Sequence, residues 1–180
     1  RSHAPLPRFT NMQDYVRRFV ITVDNLPRNI VPSQLSALQR VPEPLMVDRD
    51  ASGTLTLSPR NGDRYAPLIG FLESLEPATL VKLYSRFYPL MDQEYKSLGY
   101  PEGRFHDRVI FAIDDMLAAP RPTGPIELIQ PRVLYEYADP ALRTRSAGQK
   151  VMIRVGPDNA ERLRGLLQRW RAQLLGQAAN

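Results

Sequence analysis

The residues of this chain best suited to chemistry stand in succession at His106, Asp107 and Arg108: an imidazole, a carboxylate and a guanidinium. With Arg64 and Lys150 they could form a small pocket in which Asp107 or His106 acts as acid or base and the cations hold an anionic substrate. The plainer reading is structural. Arg104 and Arg108 are near enough in sequence to Asp107, Asp114 and Asp115 for ordinary ion pairs along a helix. His106 is the only histidine outside the chain's start, Glu102 is separated from it by Gly103, and a metal centre needs at least three converging ligands. No metal is expected, and His106 reads as a surface or turn-capping residue.

Aromatic residues gather at the same place, with Tyr88, Tyr95, Tyr100 and Phe105 around one turn. Tyrosine offers an apolar ring and a hydroxyl, so such a group can line a pocket for a polar ligand, although large aromatics more often belong to the core. The candidate ligand-binding set is Arg64, Tyr65, Tyr100, Asp107, Arg108, Gln149 and Lys150, with no catalytic residue assigned. No GxGxxG, no GxxxxGK[ST] and no G-x-S-x-G occurs, and Ala147-Gly148-Gln149-Lys150 is too short to cradle a phosphate. No cofactor is expected.

Two helices must position these residues. Ser85–Leu117 divides at Gly99-Tyr100-Pro101-Glu102-Gly103 into a first helix, with Leu80, Leu83, Tyr84, Phe87, Tyr88, Met91, Tyr95 and Leu98 on one stripe, and a second, with Phe105, Val109, Ile113, Met116 and Leu117. So short a connection makes them antiparallel neighbours. Pro89 inside the first stripe predicts a kink or a break near Phe87–Pro89.

Before this pair, Asn11–Val23 is expected to be a helix that ends at Leu26-Pro27. Pro27, Pro32, Pro42 and Pro44 then punctuate a segment with room for one short helix at Ser33–Gln39. Leu45–Val47 and Thr54–Leu57 flank a turn and read as a β-hairpin. Asn61 is a candidate N-cap for a helix carrying Tyr65, Leu68, Ile69, Leu72 and Leu75. After the pair, Ile126–Ile129 reads as a short strand, while Val133–Tyr137 fits helix or strand. Asp139-Pro140 opens a short helix, Ser146 with Gln149 matches a capping box, and Gly156 suits a left-handed C-cap. The last helix starts at Pro157-Asp158-Asn159 and frays after Leu175.

The expected fold is mainly α: a single helical domain of about eight helices with one small β-hairpin, an ordinary helix count for short connections. Residues 1–10 form a flexible linker end, 11–175 the domain and 176–180 a frayed tail. At 180 residues without cysteine, the chain can bury a core unaided and carries no disulfide scaffold or thiolate nucleophile. Its apolar runs are far too short to span a membrane. It begins at Arg1 without an initiator methionine, which reads as a trimmed start with any upstream anchor or signal out of view.

The net charge of +5 is placed unevenly, since residues 1–138 hold 16 basic and 16 acidic side chains and residues 139–180 hold 8 and 3. Basic ends attract nucleic acid. Here, however, Arg162 and Arg169 fall on one margin of the last helix's apolar face and Arg164 and Arg171 on the other, the pattern of solvated flanks. Ile153–Ala160 has one glycine where a helix-hairpin-helix turn wants two. Nucleic-acid binding through these helices is therefore the weakest alternative.

Several segments together resemble a bacterial family catalogued as domain of unknown function 3014: Val16-Arg17-Arg18-Phe19-Val20 through Asp24-Asn25-Leu26-Pro27, Leu57-Ser58-Pro59 with Arg64-Tyr65-Ala66-Pro67, Leu98-Gly99-Tyr100-Pro101 with Asp107-Arg108, and Ser146–Lys150 with Gly156–Ala160. The resemblance implies an N-terminal membrane anchor and a proline-rich linker ahead of the domain. That would put it on the periplasmic side of a bacterial inner membrane, held only by a segment not in this chain. No activity comes with the family. The leading expectation is a non-catalytic, envelope-tethered domain that binds a protein or a cell-wall component, with the small-pocket enzyme as its rival.

Overall fold

A computed structural model describes residues 10–29 and 45–177. The short helix expected at residues 33–39 lies outside the described residues, as do most of the N-terminal linker and the last three residues. Among those described, the chain forms seven α-helices and one small antiparallel sheet.

Helix α1 (Thr10–Asn25) buries Val16, Val20 and Val23 on one side and stops ahead of Pro27. Strands β1 (Val47–Arg49) and β2 (Leu55–Leu57) form the expected hairpin, closed by Asp50 Oδ1, which accepts from the backbone N–H of Ser52 and of Thr54 at 2.9 Å each. Helices α2 (Asn61–Ser74), α3 (Pro77–Ser97) and α4 (Phe105–Leu117) follow. The hairpin is only half of the sheet. Strands β3 (Glu127–Ile129) and β4 (Glu136–Tyr137) extend it in the order β1-β2-β3-β4, which settles the 133–137 ambiguity in favour of a strand at its end. Helices α5 (Pro140–Arg143), α6 (Ala147–Arg154) and α7 (Pro157–Gln177) complete the chain.

Three local expectations need correction. Of the kink or break expected at Pro89, the break does not occur: α3 is one helix through this position. Pro89 and Ser85 are both exposed, so water can serve the carbonyl that loses its helical donor. Leu83 is not in the buried stripe; it is 53% exposed, because it lies about 100° from the centre of a face running through Tyr84, Tyr88, Met91 and Tyr95. Asn61 does not cap α2 but is its first residue. Its side chain is buried and clamps the strand entry, accepting from Met46 N at 3.0 Å and donating to Met46 O at 2.7 Å and Ser58 O at 2.8 Å.

The main core lies between α1, α2, α3, α4, α6 and α7, where Val20, Phe105, Met152 and Leu166 are sealed from solvent. A second, smaller core forms between the sheet and α6, with Leu128 and Tyr137, cross-strand partners, against Ile153. Gly156 at φ 86° makes the tight turn from α6 into α7.

Candidate functional site

The structure divides the candidate residues among separate places. Two of them meet at Asp24, near the end of α1. This carboxylate is only 5% exposed. Arg108 reaches it from α4, its Nε donating to Asp24 Oδ1 at 2.9 Å and its Nη2 to the Asp24 carbonyl at 2.6 Å. Arg28 Nη2 lies 2.9 Å from Asp24 Oδ2 and also donates to the Tyr100 hydroxyl, which in turn donates to Asp24 Oδ2 at 3.4 Å. Every charge here is answered by another residue of the same chain, which makes the cluster a buried tie between α1, the Gly99–Gly103 turn and α4. Tyr100 also stacks on Tyr95, with ring centroids 4.8 Å apart.

Gln149 belongs to a second tie. Ser146 Oγ accepts from Gln149 N at 3.1 Å, the first half of the expected capping box, but the Gln149 side chain does not return to Ser146. Its Nε2 donates instead to Asp115 O at 3.0 Å and Oδ1 at 3.2 Å, while Ser146 donates to Asp115 Oδ2. The N-terminus of α6 is thereby locked to the C-terminal turn of α4. Asp115 outcompetes the local box by accepting from both side chains at once, with its carboxylate and its backbone carbonyl.

Arg64 and Tyr65 sit together on α2, the guanidinium 5.6 Å from the ring centroid, and Arg64 Nη1 donates to Asn61 Oδ1 at 3.0 Å. Lys150 lies beside Tyr137 at the small core, where burial first and then the neighbouring Arg154 push its amine below the ordinary lysine value, against the pull of Glu136. Asp107 is exposed and 4.0 Å from Arg104. His106, its neighbour in sequence, points the other way: it is 9% exposed, with Nδ1 3.3 Å from the Tyr84 hydroxyl and the imidazole among the rings of Tyr84 and Tyr88. It is a core histidine rather than a surface or turn-capping one. Burial pushes the Tyr84 hydroxyl far above its ordinary value, so it stays protonated. No group of three potential metal ligands occurs among the described residues.

Three of the four arginines singled out on the last helix are also committed. Arg162 pairs with Glu73 at 2.6 Å and Arg171 with Asp114 at 2.5 Å. Arg164 is not a solvated flank residue but is 5% exposed, donating to the Leu117 and Ala119 carbonyls, where it satisfies the C-terminal end of α4. Asn159, in the stretch with a trace of helix-hairpin-helix character, is buried and donates to Gly62 O and Val155 O.

What sequence reasoning missed is the far side of the sheet. The β3–β4 connection holds Val133 87% exposed and Leu134 77% exposed, flanked by Ile129 and Tyr135, and is braced by Gln130 Nε2 donating to Val133 O at 3.2 Å. At the base of this hairpin an open groove of about 610 Å³ runs between the strap Pro120–Glu127 and the segment Ala138–Leu142. None of the seven candidate residues lines it. The available signal was the run Arg121-Pro122-Thr123-Gly124-Pro125, rigid enough to hold a groove open, followed by apolar residues without helical periodicity.

A family model described as a protein of unknown function (DUF3014) matches residues 15–171. No curated protein and no solved structure matches the chain.

Proposed function

Since this chain belongs to the DUF3014 family, whose description names no activity, we propose a function from its surface: a non-catalytic binding domain that meets a protein partner through the β3–β4 hairpin. The observation that carries this reading is the pair Val133 and Leu134, 87% and 77% exposed at the end of a hairpin whose strands are anchored by buried Leu128 and Tyr137. Burying each such side chain is worth roughly 1.5–3 kcal/mol, and large apolar groups held in water side by side are characteristic of contact surfaces. The rigid strands below lower the ordering cost of binding. The rival, an enzyme using Asp107 or His106, draws less support from the geometry, because one of these is exposed and the other is enclosed by tyrosines.

The setting we propose is the periplasmic face of a bacterial inner membrane, tethered through a segment outside this chain. Family resemblance supports it. Among the described residues no helix is long and apolar enough to cross a membrane, so any anchor lies elsewhere.

The test places a photo-crosslinking amino acid at Leu134, and at Gln168 on the exposed side of α7 as a control, in cells that make the family's native protein. A discrete adduct from position 134, absent from position 168 and lost when Val133 is changed to Ser, is the expected result. Identical adduct patterns from both positions would remove the hairpin as a binding surface.

A further inference from the structure

We propose that the groove at the base of the β3–β4 hairpin receives an extended, cationic segment of the protein partner, one carrying lysine or arginine between apolar residues; this rests on the hairpin being the contact surface. The walls are stiff and apolar: Pro120, Pro122 and Pro125 fix the strap, and Ile126 and Leu142 belong to the small core beneath. Two carboxylates face the opening, Glu127 from the start of β3 and Asp139 ahead of α5. Glu127 has no ion-pair partner among the described residues. Asp139 Oδ1 accepts from Ala141 N at 2.8 Å, which leaves its second oxygen uncommitted among the described residues.

The one cation in the lining does not offset them. Arg121 is turned to Glu161, Nε to Oε1 at 2.7 Å and Nη2 to Oε2 at 3.3 Å, and this contact raises the guanidinium pKa and lowers that of the carboxyl. The groove is thus net acidic in a chain of net charge +5. Further carboxylates stand on the sheet, but they are paired. Cross-strand pairing puts Asp48, Thr56 and Glu127 in one row, and Glu136 opposite Ile129 on the same outward face, because alternation sends Leu128 and Tyr137 inward. Arg60 pairs with Asp48 at 3.6 Å and Arg143 with Glu136 at 3.9 Å, which leaves Glu127 as the carboxylate of this face without an ion-pair partner among the described residues.

These features specify the ligand. A compact domain cannot enter a proline-walled groove, whereas an extended chain can lay lysine or arginine stems on the prolines and bring the charged ends to Glu127 and Asp139. From there the tip at Val133 is on the order of 10–20 Å away, three to six residues of extended chain at about 3.3 Å each. One segment can therefore occupy the groove and touch the apolar tip.

The probe is a fluorescently labelled 12-residue peptide alternating lysine and leucine, with a twin that has glutamate for each lysine, read by fluorescence anisotropy on the whole chain. Glu127→Gln with Asp139→Asn neutralises the groove, and asparagine keeps the α5 N-cap. The expected result is binding of the lysine peptide that weakens at least fivefold in this variant and falls with added salt, and no binding of the twin. Equal binding of both peptides, or equal affinity of the variant and the native chain, overturns the proposal. If the lysine peptide fails while the Leu134 adduct forms, the cationic partner alone is wrong; if the adduct is missing too, the hairpin reading falls with it.

Discussion

Asp24 buries a carboxylate at the end of a helix, where the last-turn carbonyls already make the potential negative. Arg108 answers both, holding the carboxylate and the Asp24 carbonyl with one guanidinium. Arg108→Met is expected to destabilise the fold by about 1–3 kcal/mol, since Asp24 keeps Arg28 and Tyr100 on Oδ2 but Oδ1 and the Asp24 carbonyl lose their donor, and urea unfolding measures it. Arg108→Lys should recover only part of the loss, because an ammonium cannot span the two acceptors as the planar fork does. Asp92 is a part-buried contributor to acid sensitivity. Burial pushes its carboxyl up, but the Lys96 amine, the Phe105 N–H and the Tyr88 hydroxyl outweigh burial and hold it below the usual carboxylate range. A folded-state value below the unfolded one, near about 3.9, means that this stabilisation is complete above about pH 5 and disappears as pH falls through the folded-state value. The difference in unfolding free energy between the native chain and Asp92→Asn should therefore be constant near neutrality and shrink in acid. A difference that stays the same down to about pH 2, well below the unfolded value, would refute it.

Helix α6 is only eight residues long, too short to persist alone, and its neighbours define it. Ala147 N donates to Arg28 O at 2.6 Å and Gly148 N to Leu26 O at 2.8 Å, so the end of α1 serves the free donors of the α6 N-terminus. This approach requires a glycine. A Cβ at Gly148 would stand 2.7 Å from Met116 Cγ and 3.3 Å from Leu26 O. Alanine favours the helix by about 1 kcal/mol over glycine, yet overpacking a close contact costs about 1–3 kcal/mol. Gly148→Ala should lower the urea midpoint with an unchanged slope; a raised midpoint would mean that Met116 yields freely. The same lock explains why Gln149 is a structural residue here. Its amide is spent on Asp115.

At the scale of the molecule, a net charge of +5 does not amount to a basic surface at the C-terminal helix, because Arg162, Arg164 and Arg171 are spent on Glu73, the end of α4 and Asp114. At the groove, by contrast, Glu127 and Asp139 stand without an ion-pair partner among the described residues. Read alone, the chain determined what depends on near neighbours: the mainly helical fold, the antiparallel pair joined at Gly99–Gly103, the β1–β2 hairpin, the Asp139 cap and the left-handed Gly156 all follow from apolar period and from hydrogen bonds within a few residues. Half of the capping box was legible for the same reason. Tertiary structure decided which polar side chains meet. Arg108 is 84 positions from Asp24, Gln149 is 34 from Asp115 and Arg171 is 57 from Asp114, and no local pattern chooses among 24 basic and 19 acidic side chains. It also decided that Val133 and Leu134, two apolar residues that composition alone would assign to the core, stand in water, since their exposure depends on where β3 and β4 join the sheet.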